Sequence, residues 1–410
     1  MPIVTTTIDP VAKIKVVGVG GGGCNAVNTM IRDFDIQGVD FLAFNTDAQS
    51  LKMSLAPETL QLGEELTQGL GVGGNHELGA QAAEESLDAI QETLEGANMV
   101  FITAGMGGGT GTGAAPIIAG VAKNMGALTV AVVTKPFDFE GQRRKEVAEE
   151  GLAALKDKVD TLIVVPNQRL IEILDEEVSF LDAMRMVDSV LAEGVNSIAT
   201  LISQTGFINA DFNDAKSVMQ NAGTALMGIG RATGEGRAEK AAREATSSPL
   251  LDLSIEGATG VLYNIIGGPS LTMQEVNKVS ELIGDAVDPS ANIKFGATID
   301  ENIGEEIVIT IVATGFDESK QVYTKRLKGD TDKVDTLIEE EVKDVVEEDD
   351  TEFKPIEEDI TAEDLLDSSE NEIPEDMEEE EVKKPSPISS ILNGEDPLDI
   401  PAFMRRKKKK

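Results

Sequence analysis

The chain has 410 residues, with 35 Lys and Arg against 74 Asp and Glu, a formal net charge of -39, one His, one Cys and no Trp. So acidic a chain lacks the clustered Lys and Arg that displace counterions from phosphates, which excludes nucleic acid as a partner and disfavours direct contact with anionic membrane. Lone Cys24 cannot form an internal disulfide and lone His76 cannot build a multi-histidine metal site, so stapled secreted scaffolds and zinc enzymes are set aside.

No stretch approaches the ~20 apolar residues of a membrane span. The start, MPIVTTTIDPVAK, lacks the basic-then-apolar order of a signal peptide, so a cytoplasmic protein is expected. After a flexible N-terminus at 1–12, apolar runs bounded by Gly, Asn or Pro predict strands at Ile14–Val19, Phe41–Phe44, Met99–Ala104, Leu128–Val133 and Leu162–Val165. Amphipathic helices are expected between them, at Leu78–Leu94 and Lys145–Leu155 among others. That alternation predicts an α/β fold with a doubly wound, Rossmann-like parallel sheet, whose ligands bind beyond the carboxyl ends of the strands.

Two glycine-rich segments stand at such ends. Gly18-Val19-Gly20-Gly21-Gly22-Gly23-Cys24-Asn25 follows the first strand and opens into a helical pattern at Ala26–Ile31. Without Cβ atoms the backbone can approach a phosphate, and the helix start offers free N–H groups. Gly18, Gly20 and Gly23 fit G-x-G-x-x-G, which alone is also compatible with a plain strand-to-helix turn. Gly105-Met106-Gly107-Gly108-Gly109-Thr110-Gly111-Thr112-Gly113 follows the strand ending at Ala104 and precedes a helix at Ala114–Lys123. Its glycines and two hydroxyls form a nest suited to a polyphosphate. A G-x-x-x-x-G-K-[ST] loop is absent, so this is not a P-loop enzyme.

Beyond this half, leucines, valines and methionines at three- and four-residue spacing from Phe180 to about Ser203 predict a long central helix. A polar loop, Asn209 to Asp214, leads into a helix at Ala215–Gln220, for which Asp214 is a candidate N-cap. Strands at Ala225–Ile229, Gly260–Ile266 and Ile307–Ala313, with helices at Glu235–Glu244 and Met273–Val287, make a second, smaller α/β domain.

The tail has a different texture. Residues 317–410 carry a net charge of -16, and 330–381 hold 26 acidic against 3 basic side chains. This composition predicts a disordered acidic linker, a coil of ~45–50 Å root-mean-square span. It ends in a short apolar peptide, Asp396-Pro397-Leu398-Asp399-Ile400-Pro401-Ala402-Phe403-Met404, and six basic residues, Arg405–Lys410, the form of a segment that docks into a groove.

Taken together, GVGGGGCNAVNTM, FNTD, GGGTGTG, TKPFDFEGQRR, VVPNQRL, NADFNDAKSVM and the terminal DPLDIPAFMRR resemble the tubulin/FtsZ family, whose FtsZ branch serves bacterial cell division. The resemblance covers roughly residues 11–316 and the terminal peptide. It implies a GTPase that polymerises head to tail into filaments of a mid-cell division ring. It implies that Gly21, Gly22, Gly23, Cys24 and Asn25 line the nucleotide, and that Gly107, Gly108, Gly109, Thr110, Gly111 and Thr112 cradle its phosphates. Glu140 and Arg144 then contact the ribose region, while Asn167 and Asp188 read the guanine. Asn209, Asp211 and Asp214 are implied to act catalytically in the site of the next subunit. GTP and GDP are the implied ligands, with Mg2+ held mainly through phosphates and water and K+ as a further candidate cation. Many relatives carry Phe four positions before the guanine-reading Asp; here it is Met184, a base-packing thioether or simply a core residue of the helix.

The family's organisation implies a GTP-binding domain at 13–178, a central helix at 179–205, a catalytic loop and helix at 206–219, and a C-terminal domain at 220–316. A linker at 317–390 and a partner-binding peptide at 391–410 complete it. Membrane-anchor and regulatory division proteins are the implied partners of Asp396 to Arg406, leaving membrane contact indirect apart from the last lysines. Two other readings stand beside this one, the first from the residues alone and the second differing from the GTPase only in rate. An NAD-dependent oxidoreductase is suggested by the first glycine loop and Asp47, and a scaffold could hold GTP without turnover.

Overall fold

Strands buried on both faces must be apolar throughout, and the central ones here are: Ile14–Val19 (β1), Met99–Gly105 (β4) and Leu128–Lys135 (β5) are buried along nearly their whole length. The structure, a computed structural model, describes residues 12–34, 36, 38–173, 178–203, 208, 211–248 and 255–316. The linker, the terminal peptide, residues 1–11 and Asn209 lie outside the described residues.

Five further strands join these three in chain order: Val39–Asn45 (β2), Glu58–Gln61 (β3), Thr161–Pro166 (β6), Gly223–Ala232 (β7) and Gly260–Gly267 (β8). Asn292–Ile299 (β9) and Ile307–Thr314 (β10) complete a ten-stranded sheet of order β3-β2-β1-β4-β5-β6-β7-β10-β8-β9. From β3 to β7 every pairing is parallel, β10 is antiparallel to both β7 and β8, and β9 is again parallel to β8. The second α/β half is therefore continuous with the first through β6 and β7, which pair over Thr161–Ile163.

Helices Gly20–Asp33 (α1), Ala48–Lys52 (α2), Glu64–Thr67 (α3), His76–Glu85 (α4) and Leu87–Leu94 (α5) precede or flank the first four strands. They are followed by Thr110–Asn124 (α6), Gln142–Lys156 (α7), Asn167–Ile173 (α8), Phe180–Ser203 (α9) and Phe212–Met219 (α10). Arg237–Thr246 (α11) and Met273–Asp285 (α12) belong to the second half. One core packs α1, α9 and α10 on one face of the sheet, through residues such as Met30, Leu191 and Met219 against Phe101 and Val132. Another packs α4 to α7 on the opposite face, through Ala82, Ile90, Ile118 and Leu155 against Phe44 and Ile102. A third joins α11 and α12 to β8 and β10. Helices on both faces of a largely parallel sheet make this a doubly wound α/β fold.

The long helix α9 has the bounds its periodicity predicts, and it is tied to the second half by an ion pair of Glu193 with Arg231 and by Ser197 Oγ donating to Thr310 Oγ1 at 2.8 Å. Three expectations shift. The single helix expected over Leu78–Leu94 is two, because the chain turns at Ser86, whose hydroxyl accepts from Gly63 N–H at 2.9 Å. Both helices after the glycine loops begin earlier than expected, at Gly20 and Thr110, so the loop glycines themselves form the first turns. The helix after the central one starts at Phe212, and Asp211 rather than Asp214 is its N-cap. Asp211 Oδ1 accepts from Asp214 N–H at 2.7 Å, and Asp214, three residues on, accepts from Asp211 N–H at 3.2 Å, a capping box.

Candidate nucleotide site

A helix start leaves its first N–H groups without intrahelical partners. At α1 and α6 no side chain caps them and no acidic residue occupies the first turn. Both helix starts open into one cleft of about 430 Å³ at the carboxyl ends of β1, β4, β5 and β6. Unmet N–H groups and two positive dipole ends converging on one space bind anions, and phosphate above all.

The two glycine segments touch backbone to backbone. Gly20 has φ +71°, and a Cβ there would sit 2.8 Å from Gly111 N, so a side chain would force the loops apart. Around Gly21 and Gly108 a Cβ would meet nothing within 4 Å, since both face the cleft. Gly22, Asn25, Gly109, Thr110 and Gly111 also line it. Gly23, Cys24, Gly107 and Thr112 do not. A Cβ on Gly23 would overlap the Thr103 carbonyl oxygen, and Cys24 is buried against Gly18 and Phe44, where burial pushes its thiol up to about 12. Gly107 N–H donates to Thr112 Oγ1 at 2.9 Å, so this pair shapes the loop from behind.

The middle of the cleft is walled by Thr134, Pro136, Phe137, Glu140 and Arg144. Glu140 Oε1 accepts from Phe137 N–H at 2.9 Å and its other oxygen pairs with the Arg144 guanidinium, which fixes both side chains at the opening. The far end is an apolar slot of Met184, Val187 and Leu191 holding two polar groups, Asn167 and Asp188. Asn167 is 6% exposed and its Oδ1 has no hydrogen-bond partner, an orphaned acceptor awaiting a donor. Burial pushes Asp188 up to about 6, against the opposing pull of Arg32, so it is largely ionised at pH 7. An ionised carboxylate accepts two hydrogen bonds side by side, which guanine's N1–H and exocyclic amine supply and adenine does not.

Asp211 and Asp214 are elsewhere. The helix α10 that they open ends beside Thr161, whose hydroxyl donates to the Met219 carbonyl, at the start of β6, whereas the cleft lies at its other end, at Asn167. Along α9, Asp188 and Ser203 are separated by ~22 Å at ~1.5 Å per residue. The Asp214 carboxylate pairs with Lys294 Nζ at 2.8 Å, which together with Asp211 N–H holds it below the usual carboxylate range. Asp211 is exposed, Asp214 is half-buried, and neither lines the cleft. Within the cleft the only lining carboxylates among the described residues are Glu140 and Asp188. Among the described residues no group of three His, Cys, Asp or Glu side chains is placed to hold a metal ion.

Sequence reasoning gave no role to Thr134, Pro136, Phe137, Val187 or Leu191, which complete the walls. Thr134, Pro136 and Phe137 all lie inside the TKPFDFEGQRR motif, in which only Glu140 and Arg144 were assigned to the nucleotide.

The sequence model of the Tubulin/FtsZ family, GTPase domain, matches residues 13–175, and that of the FtsZ family, C-terminal domain, matches 223–317. Among solved structures, an empty FtsZ dimer from M. jannaschii is 45% identical, with a TM-score of 0.72, covering 74% of this chain and 88% of that one. A point mutant of FtsZ from M. jannaschii is also 45% identical at a TM-score of 0.72, covering 75% and 92%. CetZ2 from Haloferax volcanii, solved as a protofilament with GTPγS, shares the fold at 23% identity and a TM-score of 0.61, covering 76% and 96%. With the cleft's geometry, the two family matches and the M. jannaschii likeness, this chain belongs to the FtsZ branch of the tubulin/FtsZ family and is a GTPase.

Proposed function

We propose that this GTPase polymerises head to tail into the filaments of a division ring at the future septum, and that each GTP is hydrolysed between two subunits. One observation carries the reading: the cleft has no free carboxylate where the two glycine-rich helix starts meet, while exposed Asp211 and half-buried, Lys294-paired Asp214 stand toward the opposite end of the sheet. Stacking one molecule on the next brings Asp211 and Asp214 of the upper subunit, with Asn209, over the phosphates held by the lower one. Such a contact is heterologous and does not close, so it extends into filaments. The likeness to a relative solved as a dimer supports self-association.

In this reading the first turns of α1 and α6, with Gly21, Gly22, Gly108, Gly109, Thr110 and Gly111, hold the phosphates by N–H donation. Gly23, Cys24, Gly107 and Thr112 shape those turns. Asn25, Glu140 and Arg144 set the sugar, Asn167 and Asp188 select guanine, and the Met184 thioether packs on the base. Asp211 and Asp214 orient water for attack on the γ-phosphate. Mg2+, when bound, would supply charge neutralisation on the phosphates; since no cluster among the described residues is placed to hold it, phosphates and water would be its main ligands, and K+ is a second candidate. Hydrolysis then weakens the contact that produced it.

The proposal includes the organisation expected from sequence: GTP-binding domain 13–178, central helix 179–205, catalytic loop and helix 206–219, C-terminal domain 220–316, tether 317–390 and docking peptide 391–410. The protein then works in the cytoplasm at mid-cell, with Asp396 to Arg406 recognised by membrane-anchor and regulatory division proteins. The shared site is tested by phosphate release against protein concentration. Activity per molecule should rise above a threshold; a flat profile would mean a self-contained site. Deleting residues 396–410 should leave that activity intact and abolish anchor binding in a pull-down. Retained binding would refute the assignment of the tail. The oxidoreductase reading is set aside by the family, and a non-hydrolysing scaffold by the GTPase activity.

A further inference from the structure

We infer that Thr46 is a positioning residue for the nucleotide site: its buried hydroxyl donates to Thr110 Oγ1 and so leaves the Thr110 proton to be given to the polyphosphate of GTP. Thr46 and Thr110 lie 64 positions apart in sequence, and their Oγ1 atoms are 2.7 Å apart in the fold. Thr110 lines the cleft at the first turn of α6; Thr46 does not reach it and is 0% exposed.

The direction of the bond follows from what each hydroxyl can reach. A hydroxyl has one proton and two lone pairs. Among the described residues Thr46 Oγ1 has Thr110 Oγ1 as its one hydrogen-bond partner. A buried O–H without an acceptor is unfavourable, so the Thr46 proton is committed to Thr110. The Thr110 proton is then surplus within the protein, and the cleft is where it points: toward an anion. A chain of O–H donors ending on a phosphate oxygen is polarised along its length, so the inner hydroxyl strengthens the outer one.

The backbone of Thr46 is anchored as well. Its carbonyl oxygen accepts from Gly71 N–H at 3.2 Å, with Thr67 Oγ1, which donates to the Gly63 carbonyl at 2.9 Å, packed beside it. The same glycine-rich segment presses on the phosphate loop, for a Cβ on Gly109 would lie 3.1 Å from Asn75 N and would overlap Val72. Thr46 is thus the point at which the end of β2, the segment from Gly69 to Asn75 and the first turn of α6 are joined by hydrogen bonds.

This inference rests on the reading of the cleft as the GTP site, and the test separates the two. GTP and guanosine are titrated by calorimetry into the full-length chain, as wild type, Thr46→Val, Thr46→Ser, Thr110→Val and the Thr46→Val/Thr110→Val double variant. Thr46→Val keeps the side-chain shape and removes the donor, so GTP affinity should fall ~5–10-fold with guanosine affinity unchanged. Thr46→Ser should recover to within about twofold, since it restores the hydroxyl. The double variant should bind no more weakly than Thr110→Val alone, because both changes remove one coupled donor. Thr46→Val binding GTP like wild type, equal losses for GTP and guanosine, no recovery with Ser, or fully additive losses in the double variant would each overturn the role of Thr46. A wild-type chain that failed to bind GTP would overturn the site itself.

Discussion

Replacing Asp188 by Asn removes the charge that burial makes unfavourable, and the structure fixes the sign of two separate effects. In the empty protein Asp188 is pushed up to about 6, mainly by burial. A carboxyl raised in the folded state contributes stability that is fully present below its unfolded value near 4 and is lost as pH rises through about 6. The rise corresponds to at most ~3 kcal/mol, and the solvent-exposed part of the side chain reduces that to ~1–2 kcal/mol. Asp188→Asn should therefore raise the Tm of the nucleotide-free protein by ~2–4 °C at pH 7.5 and leave it nearly unchanged at pH 4. If Asp188 reads guanine as proposed, the variant loses two charge-assisted hydrogen bonds to it, so GTP affinity should fall ~10²–10³-fold. A nucleotide with an oxygen in place of the guanine amine should bind the variant better, because the Asn amide can donate to it. Wild-type GTP affinity should itself decline as pH drops below about 6. Calorimetry at the two pH values and nucleotide titration at pH 7.5 check all of this. Unchanged GTP affinity in the variant, or a lower Tm when empty at pH 7.5, would refute the reasoning.

Asp211→Ala should bind GTP and assemble like wild type but hydrolyse ~10²-fold more slowly; a wild-type rate in phosphate release would contradict the shared site. Gly113→Ala should destabilise by ~3 kcal/mol or more, because its Cβ would overlap the His76 carbonyl oxygen and lie 2.6 Å from Ala80 N, forcing α4 off α6; a Tm within 2 °C of wild type would show the packing to be looser. Glu275→Gln should cost ~2–3 kcal/mol, since Arg237 is buried and hydrogen-bonded to Glu275, Ser270 and the Glu305 carbonyl. Arg237 holds the Glu275 carboxyl down to about 2. That contribution is present above pH ~4.5 and lost as pH falls through about 2, so the deficit measured by denaturant unfolding should shrink across that window.

The elements legible in the sequence are those whose burial leaves a one-dimensional trace. The central strands read as unbroken apolar runs, and the apolar stripe of α9 places the helix from Phe180 to about Ser203, as found. Strand β3, ETLQ, is an exposed edge with no such trace, and β9 mixes Asn292, Lys294 and Gly296 into a partly exposed strand. The break at Ser86 is set by Gly63, far away in sequence, so periodicity runs straight through it. In the site, glycine loops and a polar pair on a helix were legible as motifs. Which of those residues face the cleft was not: Gly22 and Gly23 are neighbours in one run, yet one lines the cleft and the other packs on Thr103. The contact of Thr46 with Thr110 is equally hidden, being made only by the folded sheet.

The central claim is that one molecule supplies the cleft and another the acids, and mixing two inactive variants tests it most directly. Asp188→Asn keeps an intact Asp211 but holds GTP poorly; Asp211→Ala keeps an intact cleft but lacks the acid. Where a subunit of the first docks onto the cleft of the second, a complete site forms. Phosphate release by an equimolar mixture should exceed the sum of the two variants measured separately. A mixture no more active than that sum would mean that each molecule hydrolyses GTP alone.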